Sequence, residues 1–221
     1  FTKEPGTLEW INSFKNDENI IFWDIGSNIG LFSIYAAIKH NKIQIFSFEP
    51  STSNLRTLSR NISINHLQNR IKINQFPLTK YANSYLVLKE TRFQEGCASN
   101  TFGEDFGSDG KKMIETNSYP VFGNNINNLI QNKVLEIPDY IKLDVDGIEH
   151  LILEGASKFL SNPKIKSLSI EINENFNKQL TSVMSIMEKS NFIYKYKKRS
   201  ENYIGYKDIK LSKTYNYVFE K

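Results

Sequence analysis

Residues 20–37, "IIFWDIGSNIGLFSIYAA", decide the fold prediction. An apolar and aromatic run stops at Asp24, passes through Gly26 and Gly30, and continues as an amphipathic segment. Short apolar runs are typical of buried strands, whereas apolar residues at three- and four-residue spacing are typical of helices. The stretch therefore predicts a strand, a tight turn and a helix. We call the turn, residues 24–30, the seam.

The same alternation of strand and helix continues along the rest of the chain. Further strands are predicted at 42–48, 70–76, 84–90, 139–145, 165–172, 192–198 and 214–220. Helices are predicted at 7–14, 29–39, 50–65, 148–160 and 176–190. Such alternation is typical of an α/β fold with a mainly parallel sheet and helices on both faces. The last two strands would form an antiparallel edge hairpin.

Length and composition favour one domain, 1–221, with a full hydrophobic core. The net charge of +4 is concentrated in "YKYKKRS" and "KDIKLSK"; lysine-rich surface hairpins are common, and we expect no nucleic-acid partner. A single cysteine, Cys97, excludes an internal disulfide and fits a cytoplasmic location. No apolar run reaches the length of a membrane span. Because the chain opens at Phe1, we expect that it is trimmed or part of a longer polypeptide.

The seam and the end of the second strand predict a ligand site. In open α/β sheets, ligands bind beyond the carboxyl ends of the strands, where Asp24 lies. Gly26 permits a tight turn and Gly30 a close approach of backbone to ligand, and N–H groups from Asn28 onward can meet a carboxylate. Glu49 lies 25 residues after Asp24, where a carboxylate binds the hydroxyls of a ribose. An adenosine-containing ligand is indicated.

The turn chemistry narrows the choice of ligand. A dinucleotide site needs G-x-G-x-x-G, whereas the corresponding residues here are Gly26, Asn28 and Leu31, and no P-loop Gly-Lys-Ser/Thr is present. The pattern suits a ligand without phosphate, whose ammonium group faces Asp24 and whose carboxylate meets the helix start. S-adenosyl-L-methionine fits these demands. The predicted cofactor-binding residues are Asp24, Gly26, Ser27, Asn28, Gly30, Glu49, Pro50 and Ser51.

Three segments give the chain a resemblance to a known family. They are "FWDIGSNIGLFSIYAA", "IFSFEPSTSNLRTLSRNISIN", and "DYIKLDVDGIEHLILEGA" followed by "LSIEIN". The chain resembles the FkbM family of S-adenosylmethionine-dependent methyltransferases over most of its length. The resemblance implies a Rossmann-like class I methyltransferase fold with a seven-stranded sheet. It also implies O-methylation of a hydroxyl on a sugar, a glycan or another small metabolite. The residues at motif positions are Asp144, Asp146, Gly147, Glu149, Gly155 and Glu171.

One departure from the family pattern concerns the segment before the 139–145 strand. The family often has Leu-Asp-Asp-Leu there, whereas this chain has "INNLI", with Asn127 and Asn128 in place of the acids. If those acids shape the substrate pocket, we expect a different substrate preference here.

Methyl transfer to a hydroxyl requires little beyond placement, exclusion of water and a general base. Asp144 closes its strand at the same sheet edge as Asp24 and Glu49, and Asp146 and Glu171 lie close by in the predicted topology. Capping of the next helix or orientation of the cofactor explains Asp144 equally well. The predicted catalytic residues are Asp144, Asp146, His150 and Glu171.

Two further features at this edge have weaker support: His150 as the general base, and a bound metal ion. His150 is one of three histidines and would titrate near neutrality, although a lone histidine is more often structural than catalytic. Clustered carboxylates could also hold Mg²⁺. Nothing in the spacing demands a metal, and we predict none.

The segment 92–125 is rich in Gly, Ser and Asn and predicts a long loop with at most one short strand. Loops of this length inside a domain are usually lids or disordered spans, so a mobile cover for the acceptor and a plain solvated insertion remain equal alternatives.

Two alternative functions stay open. One is an RNA methyltransferase that docks through the basic hairpin, although no N/D-P-P-Y/F motif is present. The other is a non-catalytic S-adenosylmethionine-binding domain of a larger glycan-building protein.

Overall fold

The computed structural model describes residues 3–15, 19–199 and 213–221. Its helices are α1 (Pro5–Asn12), α2 (Leu31–Lys39), α3 (Thr52–Ile64), α4 (Ile126–Gln131), α5 (Glu149–Glu154) and α6 (Asn177–Lys189). Its strands are β1 (Ile20–Ile25), β2 (Ile43–Phe48), β3 (Ile71–Asn74), β4 (Ser84–Glu90), β5 (Asn100–Phe102), β6 (Asn117–Gly123), β7 (Tyr140–Leu143), β8 (Ser167–Asn173), β9 (Ile193–Arg199) and β10 (Thr214–Glu220).

The main sheet has seven strands in the order β3-β2-β1-β7-β8-β10-β9. The first five are parallel, and β10 runs antiparallel to both β8 and β9. The Rossmann-like fold and the antiparallel edge hairpin predicted from the sequence are therefore confirmed. Strand order reverses between β1 and β7, so their carboxyl ends form the switch point at which ligands of such sheets bind.

Alternate residues of the central strands supply two cores, one on each face of the sheet. In β1, Phe22 packs with residues of α1, α2 and α3, whereas Trp23 packs with residues of α4, α5 and α6. Every residue of β1 is buried, which explains its continuous apolar run. Helices thus cover both faces, and the polar residues at the strand ends are left to form a site.

The segment 92–125 differs from its prediction as a long loop with at most one short strand. It contains β5 and β6, which pair with β4 in a separate antiparallel sheet of order β5-β4-β6. The predicted strand 84–90 therefore belongs to this small sheet rather than to the main one. These pairings join residues far apart in sequence, and local periodicity does not record them.

Two helix predictions were also inaccurate. The predicted helix 29–39 begins at Leu31, since Asn28 and Gly30 have φ angles of 51° and 89°, which a right-handed helix does not accommodate. The predicted helix 148–160 is helical only over Glu149–Glu154, and α4 was not predicted.

Across the three described ranges, no helix is long and apolar enough to span a bilayer. The basic stretch "KDIKLSK" falls almost entirely outside the described residues, since only Lys213 is included.

Candidate active site

A cavity of about 350 Å³ opens at the switch point between β1 and β7. It is lined by the seam, the ends of β2, β7 and β8, residues 96–102, and residues 3–4 before α1. The volume is at the lower end of the range for small-molecule sites. Most of the polar residues that the sequence placed at this edge do meet here.

Two backbone hydrogen bonds join the seam to the end of β2. The N–H groups of Gly26 and Ser27 both donate to the carbonyl of Phe48, each at 3.0 Å. Gly26 has a φ of +81°, and a Cβ there would lie 1.8 Å from the Asp144 carbonyl oxygen. A side chain at Gly26 would thus collide with protein backbone, and this contact explains the glycine.

Gly30 was predicted to allow a close approach of backbone to ligand, but its close neighbour is another helix. A Cβ at Gly30 would lie 2.6 Å from Cδ1 of Leu58 in α3. Gly30 is also absent from the cavity lining. Its role in this structure is to bring α2 and α3 together.

Glu49 is 4% exposed, lines the cavity and is held by backbone N–H groups. Its Oε2 accepts from Asn28 N at 2.8 Å, and its Oε1 accepts from Ser51 N at 2.9 Å and from Asn54 Nδ2 at 3.4 Å. Burial raises the pKa of Glu49 to about 7. A carboxylate accepts about four hydrogen bonds, so Glu49 can still accept one from a ligand hydroxyl.

These contacts change the expected roles of the neighbouring residues. The Asn28 N–H, predicted to be free for an anionic group, is taken by Glu49. Pro50 lines the cavity, whereas the buried Ser51 hydroxyl pairs with Ser53 at 2.9 Å.

Asp24 lies beneath the seam and not in the cavity lining. It is fully buried, and its Oδ2 accepts a 2.6 Å hydrogen bond from the Ser33 hydroxyl, which is itself 2.7 Å from the Ser47 hydroxyl. Burial raises the pKa of Asp24 above its usual value. The contact predicted between Asp24 and a ligand ammonium is therefore replaced by contacts with protein.

Lys142 and two acids form a charged cluster at the ends of β7 and β8. Lys142 Nζ lies 2.7 Å from Asp144 Oδ2, and Glu171 follows the β8 residue that pairs with Leu143, so it lies next to Asp144. Burial would raise the pKa of Asp144, but the Lys142 ammonium holds it below its usual value. Burial raises the pKa of Glu171 well above its usual value, and the nearby charge of Asp144 raises it further. Two acids of opposite protonation preference thus face the same cavity.

Asp146 holds one segment of the cavity wall, residues 96–102. Its Oδ2 accepts from the backbone N–H groups of Ser99 at 2.7 Å and Asn100 at 3.3 Å. Burial and the neighbouring Asp144 raise the pKa of Asp146 to about 6.

The same segment is held at the seam by two asparagines. Asn28 Nδ2 and Asn54 Nδ2 donate to the Cys97 carbonyl at 3.0 and 3.1 Å, and Asn54 Oδ1 accepts from Gly96 N at 2.8 Å. These contacts and those of Asp146 hold the segment 96–102 at two edges of the cavity that it lines.

His150 lies away from the cavity lining, in an aromatic pocket. Its side chain is fully buried, with ring centroids 6.4 Å from Phe106 and 5.7 Å from Phe176. Neither ring nitrogen has a hydrogen bond of ordinary geometry to a described residue. Burial lowers the pKa of His150 to about 4. The prediction that it titrates near neutrality is wrong, since the apolar surroundings disfavour the imidazolium.

Comparison with known proteins shows the family to which this chain belongs. Residues 24–194 match the Methyltransferase FkbM domain family. The chain belongs to the FkbM methyltransferase family. The resemblance stated from the three sequence segments is confirmed.

Two known methyltransferases are similar in sequence to this FkbM chain. It is 30% identical over 154 residues to "Methyltransferase sdnD" of Sordaria araneosa, covering 61% of this chain and 60% of that protein. It is 24% identical over 190 residues to "Hexuronic acid methyltransferase AglP" of Haloferax volcanii, covering 86% of this chain and 71% of that protein.

A solved structure shares the fold of this FkbM chain. Methyltransferase FkbM from Methylobacillus flagellatus KT superposes with a TM-score of 0.56 at 15% identity. The match covers 92% of this chain and 44% of that one.

Other residues singled out in the FkbM motifs have structural positions. Glu149 Oε1 accepts from Val145 N at 2.9 Å, and its Oε2 accepts from Gly147 N at 3.0 Å and from the Gln179 amide. Burial raises the pKa of Glu149 to about 7. Glu149 therefore organises the turn between β7 and α5.

The two asparagines that depart from the family pattern do not line the cavity. Asn127 accepts from Lys158 N at 3.0 Å, and Asn128 donates to Asn124 Oδ1 at 3.0 Å. They join protein segments, so the expected effect on substrate preference has no basis in this geometry.

Within the described ranges, no group of three or more His, Cys, Asp or Glu side chains has the arrangement of a metal site.

Sequence reasoning assigned no role to Lys142, Glu4 or Asn54, although all three line the cavity. Lys142 had a usable signal, since a charged residue inside the apolar run "YIKL" must be paired when buried. Glu4 and Asn54 lie on other elements, and only the tertiary fold brings them to the cavity.

Proposed function

We propose that this chain, as one methyltransferase domain, transfers a methyl group from S-adenosylmethionine to a hydroxyl of a sugar, a glycan or another small metabolite. The observation that carries this proposal is Asp144. It lies at the cavity, its side chain is 20% exposed, and Lys142 holds it in the ionised form. An anionic oxygen acceptor beside a cofactor cavity suits removal of a hydroxyl proton.

The cavity offers groups that would bind the adenosine part of S-adenosylmethionine. Glu49 would accept hydrogen bonds from the ribose hydroxyls, because its carboxylate is fixed by two backbone N–H groups and faces the cavity. Phe76, Leu78 and Ile148 provide apolar surface for the adenine ring. When bound, the cofactor supplies a methyl group already activated on a sulfonium.

The remaining chemistry belongs to the chain itself. Asp144 would accept the proton of the acceptor hydroxyl, a role that typically contributes about 10²–10⁴-fold to rate. Residues 96–102, which we call the lid, would limit the access of water to the reacting groups. Asp146 would fasten that lid rather than take part in proton transfer.

The name of one relative supports a sugar-type acceptor. The Haloferax relative is named for methylation of a hexuronic acid, which is a sugar derivative. We propose a sugar-type acceptor for this chain on that basis.

The basic C-terminal hairpin gives little support to an RNA substrate. Lys197 pairs with Glu174, Lys198 pairs with Glu9, and Lys195 lies 3.6 Å from a carboxylate oxygen on β10. Lysines that are neutralised by acids of the same chain attract a phosphate backbone weakly. We therefore favour the small-molecule acceptor over nucleic acid.

The proposal is tested by calorimetry with S-adenosylmethionine, followed by transfer of isotopically labelled methyl groups to a panel of glycosides and uronic acids. We expect binding and O-methylation of at least one member. Binding without transfer to any hydroxylated acceptor would support the non-catalytic alternative, and absence of binding would contradict the proposal.

The role of Asp144 is tested with the Asp144→Asn variant. Turnover should fall by about 10²–10⁴-fold while cofactor affinity stays nearly unchanged. The control is Asp105→Asn, which changes an exposed aspartate outside the cavity lining. A parallel loss of cofactor affinity in Asp144→Asn would instead assign Asp144 to cofactor orientation.

A further inference from the structure

Lys142 is a lysine in the middle of a buried strand. Its side chain is 2% exposed, and its Nζ lies 2.7 Å from Asp144 Oδ2 and 4.9 Å from the centroid of the Phe32 ring. A buried ammonium is costly unless it is paired, and loss of one partner leaves the other charge uncompensated. Because Lys142 also lines the cavity, its charge acts directly on the groups that face a ligand.

The strand register brings a second acid to Asp144. Leu143 of β7 pairs with Ile170 of β8, so the next residues, Asp144 and Glu171, lie side by side at the sheet edge. Two neighbouring carboxyl groups resist simultaneous ionisation and titrate as a pair. The pair therefore favours a state in which one of the two carboxyls keeps its proton.

The surroundings of the two acids are unequal. Lys142 forms an ion pair with Asp144, whereas no ion pair to Glu171 occurs among the described residues. The other charged groups that face this cluster are Lys3 and Glu4 before α1, Asp24 in β1, Asp146 in the turn after β7, and Glu149 in α5. Most of them are acids, which favours retention of the shared proton.

We infer that Lys142 is a positioning residue that decides which of the two acids is the base, by holding Asp144 as the carboxylate while Glu171 carries the shared proton. This inference rests on the proposed function, because it assigns the proton acceptor for the hydroxyl. In the transfer step, the hydroxyl proton passes to Asp144, which becomes a neutral carboxylic acid and later releases the proton to solvent.

The charge balance around the pair agrees with this assignment. The pKa of Asp144 is lowered in spite of its burial, while the pKa of Glu171 is raised by burial and by Asp144. Although burial alone would lower the pKa of Lys142, the carboxylates of Asp144 and Asp24 raise it above its usual value. Lys142 therefore stays charged at any pH at which the pair titrates.

The test is an NMR titration of the whole chain with ¹³C-labelled aspartate and glutamate carboxyls. Signals are assigned with Asp144→Asn and Glu171→Gln. In the unsubstituted chain, we expect Asp144 to ionise at lower pH than Glu171. In Lys142→Met, which keeps an unbranched side chain without the charge, the Asp144 titration should move up by about one to three pH units. Lys142→Arg should keep most of the separation.

Equal titration of Asp144 in the unsubstituted chain and in Lys142→Met would overturn the inference. If Lys142→Met does not fold, the unsubstituted chain still decides, since ionisation of Glu171 before Asp144 contradicts the assignment. The titration needs no methyl acceptor, so its failure is distinguishable from failure of the proposed function. Once an acceptor is known, the acid limb of the pH–rate profile should move upward in Lys142→Met.

Discussion

The backbone N–H of Asn28 donates to the Glu49 carboxylate at 2.8 Å and so joins the seam after β1 to the end of β2. The turn and the acid are therefore one structural unit. Asn28 has a φ of 51°, a conformation that asparagine adopts more readily than most residues. The orientation of the predicted ribose acid thus depends on the seam backbone as well as on its own strand.

Replacement of Glu49 by alanine should weaken cofactor binding. Hydrogen bonds to a charged group contribute about 1.5–3 kcal/mol, so the affinity for S-adenosylmethionine should fall by about 10- to 150-fold. Calorimetry measures this, with Glu95→Ala as the control at an exposed acid. A cofactor analogue that lacks the 2′-hydroxyl should lose less affinity than S-adenosylmethionine does in Glu49→Ala, since it has one of the two hydroxyl contacts fewer to lose. Equal discrimination against that analogue by both proteins would show that Glu49 does not bind the ribose.

Gly26→Ala should destabilise the fold itself. The new Cβ would lie 1.8 Å from the Asp144 carbonyl oxygen at a φ of +81°. We expect a loss of about 3 kcal/mol or more in the free energy of unfolding, since a strained backbone alone costs about 1–3 kcal/mol. Urea denaturation measures the loss. Gly107→Ala is the control, because a Cβ there meets nothing within 4 Å. Similar stability of the two variants would contradict the packing argument.

Asp146→Gly should release the lid. Glycine accommodates the φ of 62° at this position and removes the acceptor for the N–H groups of Ser99 and Asn100. Exchange of these two amide hydrogens should accelerate by about 10- to 100-fold, as expected for a lost bond to a carboxylate.

Two further variants separate the lid contact from general effects. Asp146→Asn keeps an acceptor oxygen and tolerates the positive φ, so its increase in exchange should be smaller. Asp105→Ala removes an exposed ion pair with Lys89 and should leave both amides unchanged. Unaltered exchange in Asp146→Gly would mean that other contacts hold the segment.

The stability of the chain should depend on pH through His150. Its pKa is lowered from 6.5 to about 4 in the folded chain, so folding favours the neutral ring. That contribution is fully present above 6.5 and is lost as the pH falls toward 4. His150→Phe, which suits the pocket of Phe106 and Phe176, removes this dependence.

Urea unfolding of both proteins above pH 6.5 and between pH 4 and 6.5 measures the difference. The unsubstituted chain should lose more stability than His150→Phe on acidification, and other titrating groups cancel in this comparison. An identical loss in both proteins would refute the depressed pKa. Activity near neutrality should not depend on an ionisation of His150.

The local pattern of the sequence was sufficient for the main sheet and for part of the site. Segments rich in apolar residues located β1, β2 and β8. Their alternation with helices predicted parallel pairing, because parallel strands need a crossover connection, which is usually a helix. The positions of Glu49 and Asp144 followed from the rule that ligands bind beyond the carboxyl ends of strands. Both residues line the cavity.

The small sheet could not be predicted in the same way. Its strands pair residues such as Leu88 with Phe102 and Tyr119, and their partners are set by long-range packing rather than by local periodicity. As a result, the segment 92–125 was predicted to be mostly a loop.

By itself, the sequence determined the α/β fold class, the seam and the acids at the sheet edge, because backbone geometry and side-chain periodicity are local properties. Tertiary structure alone decided what each acid contacts. It placed Asp24 against Ser33 below the seam, Asp146 against the lid, and Lys142 against Asp144. Protonation follows from these contacts, since burial and neighbouring charges act over a few ångströms in space and do not depend on separation along the chain.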